Sequence, residues 1–355
     1  MRVVYGASHA RHAPRHEYLD GRAISNFEVP ERAESIRRAL EADEAFAFEA
    51  PTEHGVEPME AVHDPAMLAW LERAWRDWRG AGERADEIIP DTFLLPAYHE
   101  GMPASRSSSS PRAAGKWVFD ATSPIVEGTY EAARTAVDVA LTAADLALAG
   151  EAVVYGLCRP PGHHAARAMM GGYCYLNNAA IVAEDLVRRT GDRVAILDVD
   201  YHHGNGTQQL FYERADVLYV SLHGDPERAY PYFSGFAEET GSGAGAGANL
   251  NLPLPAGCPD PEYLDELTRG LETIAGFGDG PIVVSLGIDT YRLDPICDLA
   301  LTTEAYHQIG RRVRELGRTT VVLQEGGYHV GHLGENVRNW LRGLQGLEAD
   351  LSRLD

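Results

Sequence analysis

Residues 193–208 read RVAILDVDYHHGNGTQ, and the two halves of this stretch differ in character. The first half is mostly apolar with little polar alternation, which is typical of a strand buried on both faces of a parallel sheet. The second half is rich in acidic, histidine and glycine residues. Ligands of parallel α/β sheets bind beyond the carboxyl ends of the strands, so this junction predicts both a fold class and a functional site.

Four further segments look like buried strands: AVVYGL (152–157), DVLYVSL (216–222), PIVVSLG (281–287) and TTVVLQ (319–324). Amphipathic helices are predicted at 31–47, 65–78, 129–149, 177–190, 261–276, 303–316 and 334–345. Alternation of these two patterns predicts an α/β fold with a mostly parallel β-sheet flanked by helices. We expect one domain over 1–355, with a Pro-, Gly- and Ser-rich surface insertion at about 90–128.

The overall composition narrows the functional classes. The 355-residue chain has a formal net charge of −22, which argues against nucleic-acid binding and favours cationic ligands. No apolar run is long enough to span a membrane, and the N-terminal residues carry charges, so we expect a cytoplasmic protein without membrane contact. The four cysteines are widely spaced and indicate neither a disulfide framework nor a cysteine zinc site.

Chemically reactive residues follow the predicted strands. The strand at 152–157 is followed by His163 and His164, the strand at 281–287 by Asp289, and the last strand by Tyr328. Because the carboxyl ends of parallel strands meet at the same edge of a sheet, we expect these side chains to converge.

The segment Asp198-Val199-Asp200-Tyr201-His202 predicts a metal site. Alternate residues of an extended segment project to the same side, and such charge at the end of an apolar strand is costly without a counter-ion. Asp200, His202 and Asp289 would supply three ligands and leave an open position, as in catalytic zinc sites. The same ligand set is compatible with Fe²⁺ or Co²⁺. The alternative is a hydrogen-bonded Asp/His network without metal.

Two further features indicate hydrolysis assisted by this metal. His163 and His164 follow a rigid Pro-Pro-Gly, and imidazoles that titrate near neutrality suit proton transfer. Tyr328 follows Gly326-Gly327, where its phenolic O–H could donate to a developing oxyanion.

Five motifs carry a resemblance to a known family: RPPGHHA (159–165), DVDYHHGNGTQ (198–208), SLHGDP (221–226), SLGIDT (285–290) and EGGYH (325–329). They resemble the histone deacetylase superfamily, which has an arginase-like α/β fold. Within it, the chain is most similar to the bacterial branch that acts on acetylated polyamines.

The resemblance implies a role for each matching residue. Asp200, His202 and Asp289 match zinc ligands, and Tyr328 matches the oxyanion-stabilising tyrosine. His164 would be the general base and acid. Asp198 would orient His163, while Asn205 would lie beside His164. Many deacetylases of the family have Asp where this chain has Asn205, and an amide raises the imidazole pKa less than a carboxylate does.

The resemblance also implies further sites. A structural K⁺ would be bound by Asp198 and Ser221, together with the backbone carbonyls of Asp200, His202 and Leu222. Gly172, Tyr173 and Tyr230 match the walls of a narrow substrate tunnel.

A small cationic acetylated amine is the expected substrate. We predict zinc-dependent hydrolysis of N-acetylated polyamines of the acetylputrescine, acetylcadaverine or acetylspermidine type. Glu17, Glu100 and Asp120 are candidates at the rim for binding the distal ammonium. In the polyamine branch that this chain resembles, such an insertion helps to form a dimer and narrows the active-site entrance, and the resemblance implies the same homodimer through about 90–128 here. The alternative is a deacetylase of acetyl-lysine in peptides or proteins, or of another small acetylated amine.

Overall fold

The computed structural model describes residues 1–19, 21–95, 97, 100, 101, 110 and 112–351. The strands are β1 (Arg2–Tyr5), β2 (His16–Leu19), β3 (Arg22–Ser25), β4 (Ala47–Glu49), β5 (Val153–Leu157), β6 (Val194–Asp198), β7 (Val217–Gly224), β8 (Asn249–Leu254), β9 (Ile282–Leu286) and β10 (Thr320–Gln324). Eight of them form one sheet in the order β4-β1-β5-β10-β9-β6-β7-β8, and β2 pairs with β3 in a separate antiparallel hairpin.

Every neighbouring pair in the large sheet is parallel, which confirms the predicted fold class. The register places Asp198 at the end of β6 beside Ser285 of β9 and Ser221 of β7. The carboxyl ends of the central strands therefore share one edge, at which the following loops gather.

The helices are α1 (Glu31–Glu41), α2 (Glu57–Val62), α3 (Pro65–Gly80), α4 (Ala114–Trp117), α5 (Thr129–Leu148), α6 (Asn178–Thr190), α7 (Asn205–Phe211), α8 (Asp260–Phe277), α9 (Thr303–Arg314) and α10 (Val330–Gln345). Helix α6 shows how the sequence sets their limits. The side chain of Asn177 accepts a hydrogen bond from the N–H of Ala180 at its start, and Gly191 ends it in the left-handed conformation, with φ 74°.

The helices cover both faces of the sheet. Alternate residues of each strand point to opposite faces, so Val194 and Ile196 join one hydrophobic core, whereas Ala195 and Leu197 join the other. The first core contains residues of α3, α5 and α6, and the second contains residues of α1, α8, α9 and α10. Within the described ranges, no helix is long and apolar enough to cross a membrane.

Some predicted elements differ from those observed. The helix predicted over 31–47 ends at Glu41, because Ala47–Glu49 forms the edge strand β4. The predicted strands do not include β1, β2, β3, β4 or β8. The first four have only three or four residues each, and β8 (NLNLPL) mixes apolar residues with Asn and Pro. A proline is tolerated in β8 because this strand lies at the other edge of the sheet.

The insertion predicted at about 90–128 falls partly outside the described residues. Its described part includes α4 and ends near a bridge between Ile88 and Ile125. The homodimer expected through this insertion stays a prediction.

Candidate active site

The predicted metal ligands lie together beyond the ends of β6 and β9. Nδ1 of His202 is 3.3 Å from Oδ1 of Asp200 and 3.1 Å from Oδ2 of Asp289. Both carboxylates are fully buried, and each also accepts a backbone hydrogen bond. The N–H of Gly326 donates to Asp200 (2.8 Å), and the N–H of Tyr201 donates to Asp289 (2.8 Å). The loops therefore hold an oxygen of each carboxylate close to the same ring nitrogen of His202.

The first glycine of the EGGY motif is required by this arrangement. A Cβ at Gly326 would lie 2.6 Å from Oδ2 of Asp200 and even closer to Oδ2 of Asp289. A larger residue at this position would push the two carboxylates apart. The sequence Gly326-Gly327 thus reflects the close approach of the β10 loop to the pair.

The electrostatics of this cluster fit a divalent cation. Burial and the charge of Asp200 raise the pKa of Asp289 to about 7, because two buried carboxylates repel each other. A bound cation would relieve that repulsion, and one imidazole with two carboxylates suits Zn²⁺, Fe²⁺ or Co²⁺. Cys297 also lies near His202 and Asp289. Its Sγ, however, is 3.9 Å from Nε2 of His202, the nitrogen on the other side of the ring from the carboxylates.

The tandem histidines have different partners and therefore different charges. Nδ1 of His163 donates to Oδ2 of Asp198 at 3.1 Å. Burial alone would lower the pKa of His163, but Asp200 and Asp198 raise it to about 10. Nδ1 of His164 donates to the amide oxygen of Asn205 at 2.7 Å. Burial and the positive charges of His163 and His202 hold the pKa of His164 well below its usual value.

His164 consequently presents a free lone pair at neutral pH. Its Nδ1 proton is held by Asn205, which leaves Nε2 as the acceptor nitrogen of a neutral ring. His164 also lines a cavity whose wall includes Tyr173, Tyr230 and Tyr328. A neutral imidazole can act as a general base, and the protonated ring beside it keeps it neutral by lowering its pKa.

Tyr328 lines the same cavity as His164 and is held by groups that the sequence does not indicate. Its N–H donates to Oδ2 of Asp294 (2.7 Å), and the guanidinium of Arg32 lies 4.7 Å from its ring centroid. Arg32 also donates to the carbonyl oxygens of Gly327 and Glu325, both at 2.6 Å. Burial raises the pKa of Tyr328 well above its usual value, so the phenol keeps its proton.

A cavity of ≈ 430 Å³ leads to these residues, and aromatic side chains form much of its wall. The predicted tunnel residues Gly172, Tyr173 and Tyr230 all line it. Gly172 and Tyr173 have φ of 54° and 66°. A Cβ at Gly172 would collide with the ring of His164, so glycine is needed where the wall passes the histidine.

The acidic rim candidates take three different positions. Asp120 lines the cavity, where its Oδ2 accepts hydrogen bonds from the hydroxyl of Tyr230 (2.7 Å) and the N–H of Gly172 (2.9 Å). Glu17 is not at the rim: it is 1% exposed, and Oε1 accepts a hydrogen bond from the hydroxyl of Tyr173 at 2.9 Å. Glu100 is exposed and is not part of the cavity wall.

The predicted potassium ligands lie on adjacent strands. Asp198 and Ser221 are partners in the β6–β7 ladder, and both are fully buried together with Leu222. Ser221 shares a hydrogen bond of 2.8 Å with Nδ1 of His223. This proximity is compatible with a K⁺ site, which stays a prediction.

Comparison with known proteins places this architecture in context. Residues 26–344 match the family model described as "Histone deacetylase domain". The chain is 43% identical to the acetylpolyamine amidohydrolase of Mycoplana ramosa, covering 98% of this chain and 100% of that protein. It is 40% identical to acetylpolyamine amidohydrolase 2 of Pseudomonas aeruginosa, over 98% and 99% of the two chains. The crystal structure of the acetylpolyamine aminohydrolase from Burkholderia pseudomallei superposes with a TM-score of 0.91, at 39% identity over 98% of this chain and 99% of that one.

Proposed function

Since the chain belongs to the histone deacetylase family and is an amidohydrolase, we propose that it hydrolyses the acetyl amide of N-acetylated polyamines. The products are the free amine and acetate. One observation carries this proposal: His164, His202 and Tyr328 line the same tyrosine-rich cavity, and Nδ1 of His202 lies beside an oxygen of Asp200 and an oxygen of Asp289.

The proposed metal is Zn²⁺, held by Asp200, His202 and Asp289, with K⁺ in a structural role near Asp198. A zinc ion bound there supplies Lewis acidity for attack on the acetyl carbonyl. His164 takes the proton of the attacking water on Nε2 and later gives it to the leaving amine nitrogen. Tyr328 donates its hydroxyl proton in a hydrogen bond to the oxyanion that develops on the former carbonyl oxygen.

His163 has an electrostatic role in this proposal. Its ring centroid is 4.1 Å from that of His164, and Asp198 anchors its Nδ1. A positive charge on His163 at this distance would oppose a second positive charge on His164. It therefore keeps the base neutral before the reaction and helps to expel the proton towards the amine afterwards.

The substrate assignment is supported by the cavity and by the relatives. The cavity is walled by Tyr173 and Tyr230, with the carboxylate of Asp120 among its lining groups, which suits a thin alkyl chain bearing a distal ammonium. The net charge of −22 attracts cations to the surface as a whole. The named relatives at about 40% identity act on acetylpolyamines, as their names state.

A comparison of substrates tests the proposal. We expect a larger kcat/KM for acetate release from acetylputrescine, acetylcadaverine or acetylspermidine than from an acetyl-lysine peptide. A tenfold preference for the peptide would contradict the polyamine assignment and favour the protein deacetylase alternative. Chelation should abolish activity, and reconstitution with Zn²⁺, Fe²⁺ or Co²⁺ in turn identifies the metals that support it.

The catalytic assignment needs a matched control. His164→Ala should lose activity towards every acetylated amine, whereas His307→Ala changes a histidine of α9 outside the cavity wall, whose Nε2 donates to the carbonyl oxygen of Leu347. Equal activity of the two variants would show that His164 is not the base.

A further inference from the structure

Glu325 is a buried carboxylate whose role the reaction described above does not explain. It directly follows β10 and is 0% exposed. Its Oε2 accepts hydrogen bonds from the N–H groups of Gly162 (2.6 Å) and His163 (3.2 Å). Its Oε1 accepts a hydrogen bond from the hydroxyl of Ser285 on β9, at 3.3 Å. One side chain thus connects the ends of three strands.

The backbone of Glu325 is itself fixed on both sides. Its N–H donates to the carbonyl oxygen of Leu286 (2.9 Å), and its own carbonyl oxygen accepts from the guanidinium of Arg32 (2.6 Å). The carboxylate therefore extends from a rigid base to the loop that carries the tandem histidines.

From these contacts we infer that Glu325 is a positioning residue. By accepting hydrogen bonds from the N–H groups of Gly162 and His163, it holds the loop that carries His163 and His164 at a fixed distance from the end of β10. The inference rests on the proposed function, because it assigns a purpose to holding these histidines. What matters in this role is the reach of an acceptor oxygen to the loop, and not the negative charge.

A metal-binding role for the same cluster is less consistent with its contacts. Donor atoms of His163, Cys174 and Glu325 lie within 4.8 Å of one another. Both carboxylate oxygens already accept hydrogen bonds, however, and the thiol of Cys174 donates to the carbonyl of Gly172 at 3.3 Å. Burial raises the pKa of Cys174 well above its usual value, which keeps it a thiol and a poor ligand.

Two substitutions separate reach from charge. Glu325→Gln keeps the side-chain length and removes the charge. Its amide oxygen can accept both N–H groups, and its NH₂ faces Ser285, whose hydroxyl can accept. Glu325→Asp keeps the charge but withdraws the carboxylate by about 1.5 Å, the length of one carbon–carbon bond, so that the N–H groups lose their acceptor.

The two variants are compared with the wild type after loading with Zn²⁺, by steady-state kinetics and hydrogen-exchange mass spectrometry. We expect Glu325→Gln to retain most of the activity and wild-type protection of the 159–165 segment. In Glu325→Asp, exchange in this segment should accelerate. Its kcat should fall by about 10²-fold, the scale of an ångström-sized misplacement, while KM changes little.

Several outcomes would overturn the inference. An active Asp variant together with an inactive Gln variant would show that the charge matters. If both variants are as active as the wild type, the contact is dispensable. A folded but inactive Gln variant would contradict the inference that side-chain length, and not charge, is what matters. Thermal melting identifies any variant that fails to fold. If the wild type hydrolyses no acetylated amine, the proposed function fails, while the exchange measurement still decides the role of Glu325.

Discussion

Replacement of the buried carboxylate Glu17 by glutamine should make the protein more stable at alkaline pH. Glu17 is 1% exposed, and burial raises its pKa from 4.5 to about 7 despite the hydrogen bond donated by the hydroxyl of Tyr173. The folded protein therefore binds a proton at Glu17 between these pH values, whereas the unfolded chain releases it. Stability must then fall as the pH rises through this window, because the unfolded state binds fewer protons.

The size of the effect follows from the two pKa values. Between 4.5 and about 7 lie about 2.5 pH units, and at 1.36 kcal/mol per unit the ionisation of Glu17 costs about 3 kcal/mol above pH 7. Glu17→Gln does not titrate and avoids this cost. Relative to the wild type, the variant should gain about 3 kcal/mol in free energy of unfolding between pH 4.5 and pH 8. Other buried acids are shared by both proteins and cancel in the difference.

Urea unfolding of both proteins at several pH values between 4.5 and 8 measures this difference. Glu227→Gln, at an exposed glutamate, is the control for removing a charge. Parallel pH profiles for wild type and Glu17→Gln would refute the reasoning. The same substitution should raise KM for acetylputrescine at pH 8, where the wild type has a negative charge beside Tyr173, and leave it nearly unchanged at pH 6.

Three further substitutions test the site. Tyr328→Phe should lower kcat for acetate release by about 10²–10³-fold with little change in KM, and a smaller loss would exclude the oxyanion role. Asn205→Asp places a carboxylate at the 2.7 Å contact with His164 and so raises the pKa of the imidazole. In the dependence of kcat/KM on pH, the acidic limb should therefore move to higher pH by about 1–3 units. Gly326→Ala pushes a Cβ against both ligand carboxylates and should weaken metal affinity about 10–100-fold, measured by competition with a chelator. Gly331→Ala, where a Cβ meets only ordinary contacts, should keep the metal.

The central strands, and the reactive residues that follow them, could be predicted from the sequence because each is visible in a short stretch of consecutive residues. A run such as 193–200 shows by itself that both faces are buried, and the residues after it show by their chemistry what the strand end carries. Strands β1 and β4 have four and three residues, which is too short for a pattern to emerge. Their position in the sheet is set by pairing between segments that lie far apart in the chain, and a short stretch of sequence does not show such pairing.

The supporting residues of the site were missed for the same reason. Arg32 lies on α1, yet it donates to carbonyl oxygens almost 300 positions later in the chain, at Glu325 and Gly327 (|i−j| of 293 and 295). Nothing in its neighbourhood along the sequence distinguishes it from other helical arginines. Glu17 was expected at the rim because it is acidic, whereas the fold buries it behind Tyr173. Burial depends on the whole chain.

The choice of Asp at position 198 and Asn at position 205 explains how two adjacent histidines can differ in charge. Their ring centroids are 4.1 Å apart, so two positive charges there would repel by about 4 kcal/mol at an effective dielectric constant of 20. The carboxylates of Asp200 and Asp198 both raise the pKa of His163, and Asp198 also accepts a hydrogen bond from its ring, so His163 is the ring that is charged. A second carboxylate at 205 would offset the repulsion and draw a proton onto His164. The amide of Asn205 instead orients that ring without charging it, which keeps Nε2 available as a base near neutral pH.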